Sequence, residues 1–120
     1  MIGRDRTGTG KTLAFALPIF LKLRPILKLD KSRKLPKFLI LDPTRELVLQ
    51  TTTEMKSIML SDDEFKILSI YGGTEIRQQQ YDLRYGSDII VGTPGRIIDL
   101  MERGNLNFSE VQVICLDEAD

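Results

Sequence analysis

Short apolar runs alternate along the chain with longer segments of helical periodicity. Short apolar runs bounded by polar residues, glycine or proline are typical of buried strands, and the segments between them are long enough for crossover helices. Because alternating strands and helices favour a parallel sheet covered on both faces, the pattern predicts an α/β fold. The predicted strands are 38–41, 65–70, 88–91 and 111–116, and the predicted helices are 11–23, 45–60, 74–83 and 94–103.

The first two predicted helices differ in their apolar pattern. Residues 13–21 are almost wholly apolar, so we expect the first helix to be buried, with a bend at Pro18, where one backbone hydrogen bond is lost. The second helix is predicted to be amphipathic. Its apolar or semi-apolar face comprises Leu47, Thr51, Met55 and Ile58.

Capping residues, a proline and a glycine set the expected ends of the last two helices. Thr74 is the predicted cap of the third helix. Thr93 is the predicted N-cap of the fourth, with Pro94 at the first helical position and Gly104 just past the end. Thr44, directly before the second helix, is also explained as a cap. A threonine cap leaves helix amides facing outward, so capping is compatible with a phosphate contact.

Two further segments have open interpretations. Residues 24–37 contain two prolines and several basic residues, and we expect an exposed connection, with an RNA contact as the less common alternative. The only cysteine, Cys115, lies within the last apolar run, where a buried thiol is expected rather than a reactive one. One cysteine alone forms neither a disulfide nor a zinc framework.

Composition narrows the class of protein without indicating a ligand. Hydrophobic residues make up 42% of the chain and charged residues 28%, which is typical of a single globular domain. The 17 basic and 17 acidic residues cancel, so any nucleic-acid surface must arise from local placement. The start lacks a secretory signal and no apolar run is long enough to span a membrane, so we expect an intracellular protein without a membrane partner.

A glycine-rich segment near the start predicts a nucleotide-triphosphate site. Gly8 and Gly10 permit a tight turn whose amides cradle phosphate oxygens, while Lys11 supplies a cation and Thr12 a hydroxyl for Mg²⁺. At the other end of the chain, the last predicted strand leads to Asp117 and Glu118, which suit a metal ion and a water. The alternative is a solvated turn and a charged strand end. Because a strand normally leads into such a loop, we expect a fragment or a truncated gene model.

Five motifs in order carry a family resemblance, namely Gly8–Thr12, Pro43–Leu47, Gly72-Gly73, Thr93–Arg96 and Asp117–Asp120. Together they resemble the DEAD-box RNA helicases over essentially the whole chain. The resemblance implies a three-layer, parallel-sheet, RecA-like P-loop NTPase domain, truncated at both ends. It would be the first of the family's two RecA-like domains, with the second domain of the parent chain as an interdomain partner outside these residues.

The resemblance also implies roles for individual residues in an ATP- and Mg²⁺-dependent helicase. Lys11 would hold the β- and γ-phosphates, Asp117 would hold Mg²⁺ with Thr12, and Glu118 would orient or deprotonate the attacking water. Asp120 would couple the nucleotide and RNA sites. The implied phosphate-binding residues are Thr7, Gly8, Thr9, Gly10, Lys11 and Thr12, and the implied RNA-backbone contacts are Thr44, Arg45, Gly73, Thr93, Gly95 and Arg96. Considered alone, Arg45 and Arg96 are equally explained as surface charges paired with Glu46 and Asp99.

Two positions depart from the family pattern, and we expect little effect from one of them, Val48 in place of alanine. Asp5 stands where the phosphate loop usually opens with alanine, and a carboxylate there would repel the triphosphate. We therefore expect weakened nucleotide binding, and little activity from this chain alone because further motifs lie outside it. The alternative to an enzyme is a truncated or degenerate nucleotide- and RNA-binding module without catalytic activity.

Overall fold

The computed structural model describes residues 17–25, 35–59 and 65–116. Predictions that fall on other residues lie outside this description. The strands are β1 (Phe38–Leu41), β2 (Ile67–Ile70), β3 (Ile89–Gly92) and β4 (Val113–Leu116). The helices are α1, described over residues 17–25, α2 (Arg45–Ser57), α3 (Ile76–Arg84) and α4 (Pro94–Glu102).

The four strands form one parallel sheet in the order β2-β3-β1-β4. The pairing register aligns their last residues, because Leu41 is opposite both Gly92 and Leu116, and Ile70 is opposite Gly92. The loops that follow β1, β2 and β3 therefore leave the sheet at one edge and at the same level. The predicted parallel α/β fold is confirmed.

Helices cover both faces of the sheet, which gives three layers. On one face, Phe20 and Leu23 of α1 and Met55 of α2 pack with apolar residues of β1, β2 and β3. On the other face, Ile97 and Leu100 of α4 pack with side chains of the same strands, and α3 contributes Ile76 and Leu83. None of the helices in the described ranges is long and apolar enough to cross a lipid bilayer.

Helix α2 has the amphipathic face that the sequence predicts. Thr51 and Met55 are buried, while Leu47 and Ile58 are partly buried. The helix ends at Ser57, with Ile58 as its C-cap, three residues before the expected end. A buried hydroxyl on this helix, that of Thr52, lies 2.8 Å from both the Val48 carbonyl oxygen and the Ser69 hydroxyl of β2, which fixes α2 against the sheet.

Helix α4 has the predicted capping residues at both ends. Thr93 occupies the N-cap and Pro94 the first turn. At the other end Gly104 has φ +82°, the left-handed conformation that glycine adopts without strain. Gly104 donates its N–H to the Met101 carbonyl at 3.0 Å, and Asn105 donates to Leu100 at 2.9 Å. This pair of bonds is a Schellman motif, which satisfies carbonyl groups that the end of the helix would otherwise leave unpaired.

The prediction that Thr74 caps α3 is wrong. The helix begins at Ile76 and its N-cap position is Glu75, which makes no capping hydrogen bond through its side chain. Thr74 belongs to the preceding loop, where its carbonyl oxygen accepts a hydrogen bond from Arg96 Nη2 at 3.1 Å. The contact with α4 therefore holds Thr74 outside the helix.

Two elements that were expected to be buried are buried on one side only. In α1, Ile19, Phe20 and Leu23 are inaccessible, but Leu17 and Leu21 are exposed. In β4, Val113 and Cys115 pack against the core, whereas Ile114 and Leu116 are 59% and 61% exposed. The reason for β4 is its position at the edge of the described sheet, beyond the reach of the α4 cluster on that face.

The end of the predicted exposed connection is also buried. Lys37, which precedes β1, is only 5% exposed and forms an ion pair with Glu110. Its backbone N–H donates to the Asp88 carbonyl at 2.9 Å, and its carbonyl accepts from Gln112 N at 2.7 Å. Lys37 therefore links the loops at the amino ends of three strands, and the expectation of a solvated basic residue is wrong at this position.

Candidate nucleic-acid interface

Three of the five sequence motifs meet at the carboxyl edge of the sheet. Pro43–Leu47 follows β1, Gly72-Gly73 follows β2, and Thr93–Arg96 follows β3. Ligands of open parallel α/β sheets bind outside the carboxyl ends of the strands, so this edge is the expected position of a site. The structure thus brings together all six predicted RNA-contact residues, namely Thr44, Arg45, Gly73, Thr93, Gly95 and Arg96.

The loop after β1 presents a capped helix and a cation. The Thr44 hydroxyl accepts a hydrogen bond from the Leu47 N–H at 3.3 Å, so Thr44 is the N-cap of α2, as predicted. The Arg45 guanidinium lies 4.9 Å from the centre of the Tyr71 ring. This cation–π contact joins the loop after β1 to the loop after β2 and leaves Arg45 exposed.

The loop after β2 presents bare backbone. Gly73 has φ +77°, and a Cβ built there would meet nothing within 4 Å. The space around it is therefore open, and no side chain of its own separates the backbone from solvent. Such a position allows a ligand's sugar or phosphate to approach peptide groups closely.

The loop after β3 presents the start of α4. Thr93 donates its backbone N–H to the Ile70 carbonyl at 2.9 Å, which ties this loop to the end of β2. The Thr93 side chain makes no capping hydrogen bond. Gly95, in the first turn, also has open space around its Cβ position. The first amides of α4 and the Thr93 hydroxyl can therefore face an anion, and the helix dipole favours one there.

Arg96 is held by two hydrogen bonds from its guanidinium. Nη1 donates to Gln79 Oε1 at 2.9 Å, and Nη2 donates to the Thr74 carbonyl at 3.1 Å. Gln79 in turn donates its amide N–H to the Tyr71 carbonyl at 3.0 Å. Asp99, the alternative partner for Arg96, instead pairs with Arg103 at 2.9 Å. Arg96 therefore belongs to the strand-end loops and not to a local ion pair on α4.

Gln79 is a residue of this site that the sequence analysis missed. It is buried, although it stands in a run of three glutamines that looks uniformly polar. A signal was present, because Gln79 lies three residues after Ile76 and four before Leu83, on the side of α3 that faces the sheet. Helical periodicity alone thus separates Gln79 from its exposed neighbour Gln78.

Close packing around Gly92, at the end of β3, sets the distance between the sheet edge and the start of α4. A Cβ built on Gly92 would lie 2.7 Å from Ile97 Cδ1 and 2.9 Å from the Ile70 carbonyl oxygen. No side chain fits between these atoms without a shift of the backbone. Gly92 therefore lets the first turn of α4 sit directly on the sheet edge.

The predicted nucleotide and metal residues lie outside the described residues. Their roles stay predictions from the sequence. They comprise Asp5, Thr7, Gly8, Thr9, Gly10, Lys11, Thr12, Asp117, Glu118 and Asp120. Strand β4, which precedes Asp117 and Glu118, ends at Leu116 on the same edge of the sheet as the three loops.

The edge as a whole suits an extended polyanion. It combines open glycine backbone, a helix N-terminus and two arginines, each with its side chain held against a neighbouring loop or helix. Groups of this kind can bind the phosphates and sugars of a nucleic-acid backbone.

Comparison with known proteins places the chain in a family. The family model for DEAD/DEAH box helicases matches residues 1–120. The mitochondrial DEAD-box ATP-dependent RNA helicase 9 of Arabidopsis thaliana is 54% identical over the whole chain, and DEAD-box ATP-dependent RNA helicase 53 of Oryza sativa subsp. japonica is 51% identical. In both cases the chain spans 19% of the length of the relative.

Solved structures agree in fold. The yeast DEAD-box splicing factor Prp28 matches with a TM-score of 0.75 and 39% identity, over 89% of this chain and 25% of that one. A DEAD box protein from Methanococcus jannaschii matches with a TM-score of 0.74 and 37% identity, over 94% of this chain and 29% of that one. With the sheet topology described above, these matches confirm the RecA-like fold class. The chain belongs to the DEAD/DEAH box helicase family, in its DEAD-box branch.

Proposed function

We propose that this chain is the ATP-binding, first RecA-like part of an ATP-dependent RNA helicase. The observation that carries the proposal is the alignment of three family motifs on one sheet edge, with Gly73 open to solvent and Arg96 held by Gln79 and Thr74. A relative named as an ATP-dependent RNA helicase is 54% identical over the whole chain, which supports the same activity in the parent protein.

In this proposal the edge binds one RNA strand through its backbone. Arg96 and Arg45 neutralise phosphates, while the start of α4 donates N–H groups to a phosphate near Thr93 and Gly95. At Gly73 the strand comes close enough to the peptide for its 2′-hydroxyl to be read. Because Arg45 and Arg96 bridge separate loops, a bound strand would contact all three loops at once.

ATP and Mg²⁺ are the cofactors that the sequence motifs imply. Bound Mg²⁺ would neutralise charge on the phosphates during hydrolysis. Lys11 and the surrounding loop would bind the phosphates, Thr12 and Asp117 would hold the metal, and Glu118 would position the water. Asp120 would link this site to the RNA edge, and a second RecA-like domain of the parent protein would complete both sites.

Binding of a labelled single-stranded RNA, followed by fluorescence anisotropy, tests the RNA part of the proposal. We expect Arg96→Ala to weaken binding by about tenfold, because it removes a held cation. Arg103→Ala is the matched control, since Arg103 lies at the far end of the same helix and pairs with Asp99 at the surface. Equal losses in the two variants would show that only overall charge matters and would overturn the proposal.

Titration with a fluorescent ATP analogue and Mg²⁺ tests the nucleotide part. We expect Lys11→Ala to abolish binding and Asp5→Ala to strengthen it, because the carboxylate of Asp5 repels the triphosphate. Unchanged affinity in Asp5→Ala would refute the proposed weakening. RNA and nucleotide binding without any ATP turnover in the full-length parent protein would instead favour the non-catalytic binding module.

A further inference from the structure

A stripe of exposed aromatic and basic side chains runs along the outer face of α3. Tyr81 is 52% exposed and Tyr85 is 63% exposed. Their ring centres are 5.0 Å apart, their planes are tilted by 59°, and their hydroxyl oxygens are 3.2 Å apart. Tyr81 on α3 and Tyr85, the C-cap residue of that helix, thus form one exposed surface of two rings and two hydroxyls, which makes this face a candidate contact surface.

Three cations lie near the ring pair or on the same helix face. Lys66 Nζ lies 6.0 Å from the centre of the Tyr85 ring. Arg77 and Arg84 are exposed and lie four residues before and three residues after Tyr81, hence on the same helix face. We call Lys66, Arg77, Tyr81, Arg84 and Tyr85 the tyrosine stripe.

Among the residues that the structure describes, acidic groups offset this charge only in part. The Asp82 carboxylate accepts a hydrogen bond from Gln78 at 2.9 Å, and Glu75 lies 3.9 Å from Arg77. The Glu75–Arg77 pair is more than three-quarters exposed on both sides, so it contributes little and leaves Arg77 available to an anion.

The tyrosine stripe begins beside the sheet edge described above. Gln79 of the same helix bonds Arg96 at that edge, whereas Lys66 precedes β2 at the opposite end of the sheet. From Arg77 to Tyr85 the helix rises by about 12 Å, at 1.5 Å per residue. The stripe therefore leads from the loop of Gly73 and Thr74 down the outside of the domain.

We propose that the tyrosine stripe is a second contact for single-stranded RNA, continuous with the strand bound at the sheet edge. It rests on the proposed function, because the edge delivers the strand to α3. Bases stack on the rings of Tyr81 and Tyr85, and the three cations lie near the phosphates, a combination typical of sequence-independent single-strand binding. RNA fits better than a protein partner because cations flank an apolar surface limited to two rings.

Fluorescence anisotropy with a labelled oligouridylate tests the stripe. We expect the double variant Tyr81→Ala/Tyr85→Ala to weaken binding by at least about fivefold, because two stacking surfaces are lost. The matched control is Tyr81→Phe/Tyr85→Phe, which keeps the rings and removes the hydroxyls, and should bind within about twofold of the original chain. The exposed positions should leave thermal unfolding of both variants unchanged.

The possible outcomes separate the two proposals. If Arg96→Ala weakens RNA binding and the alanine double variant does not, the stripe inference is wrong, the proposed function stands, and a protein becomes the better occupant of the stripe. An equal loss in the phenylalanine variant would contradict stacking. If the original sequence does not bind the oligouridylate even within the full-length parent protein, both proposals fail.

Discussion

Gln79 of α3 holds Arg96 of α4 through a hydrogen bond of 2.9 Å, although 17 residues separate them in the chain. The same glutamine donates to the carbonyl of Tyr71, the residue that precedes the Gly72-Gly73 pair. One buried amide therefore fixes an arginine from the loop after β3 and a carbonyl from the loop after β2. The positions of two motifs depend on a residue that belongs to neither.

Replacing Gln79 with alanine should loosen Arg96 without removing it. We expect RNA affinity to fall by about threefold to fivefold, less than in Arg96→Ala, because the cation is kept but no longer held in place. A displaced Arg96 should also lower the slope of log affinity against log salt by about 0.7, as expected for one lost phosphate contact on a single strand.

Gln78→Ala is the control for this prediction. Gln78 is exposed and bonds Asp82 on its own helix, so we expect its loss to change neither affinity nor salt slope. If Gln79→Ala lowers stability but leaves the salt slope unchanged, Gln79 is a packing residue only, and the positioning role is refuted.

Two glycines on either side of Thr93, Gly92 at the end of β3 and Gly95 in the first turn of α4, should respond differently to an added methyl group. Gly92→Ala places a Cβ against the Ile70 carbonyl oxygen and Ile97, so we expect a loss of about 1–3 kcal/mol in the free energy of unfolding, measured with urea. Gly95→Ala meets nothing within 4 Å and gains helix propensity, so its stability should not fall. Equal destabilisation of the two variants would contradict the close packing described at Gly92.

Cys115 should react slowly with thiol reagents in the folded protein. Burial raises the pKa of the Cys115 thiol, so less of the reactive thiolate is present near neutral pH than in the unfolded chain. We expect the rate of modification by a disulfide reagent to rise on addition of urea and, below the thiol pKa, with increasing pH. A folded-state rate that matches the unfolded rate would show that the half-buried thiol is freely accessible.

The pKa of Tyr81 should depend on the hydroxyl of its exposed neighbour Tyr85. The hydrogen bond with the Tyr85 hydroxyl raises the pKa of Tyr81, and desolvation and the Asp82 carboxylate raise it further. Tyr85→Phe removes the first of these causes, so the Tyr81 phenol should ionise at lower pH, as followed by tyrosinate absorbance. Because the pKa of Tyr81 is higher in the folded state, the protonated phenol favours folding. This contribution to stability is lost as the pH rises from the unfolded pKa through the folded pKa.

A substituted chain in which Tyr81 ionises at an unchanged pH would show that the hydroxyl pair does not persist in solution. The stacking proposed for the tyrosine stripe uses the ring faces and not the hydroxyls. The outcome of this titration is therefore independent of the RNA measurement.

Sequence alone predicted the strands well because each is an apolar run bounded by polar residues. The β1 bounds are as predicted, and β2, β3 and β4 differ by one or two residues at their ends. The caps Thr44 and Thr93 were also predictable, since side-chain type and helical position agree there. The six residues of the candidate site came from the family resemblance and not from periodicity.

The errors arose where tertiary contacts decide the outcome. Thr74 has the chemistry of a cap, but the bond from Arg96 to its carbonyl belongs to a partner 22 residues away. Lys37 looks solvated until Glu110, 73 residues later, is placed beside it. The exposed face of β4 depends on its place at the edge of the described sheet, which strand order decides and no local pattern reports.

The equal length of the four strands limits where residues can be inserted. Each strand has four residues, and their register places the last residue of every strand at the same level of the sheet. Loops from distant parts of the chain therefore begin side by side. One residue inserted within β3 would raise Thr93 by about 3.3 Å and turn the following side chains to the opposite face. A residue inserted in a loop at the amino ends of the strands would do neither. We therefore expect length variation to be tolerated at one end of this sheet and excluded from its strands.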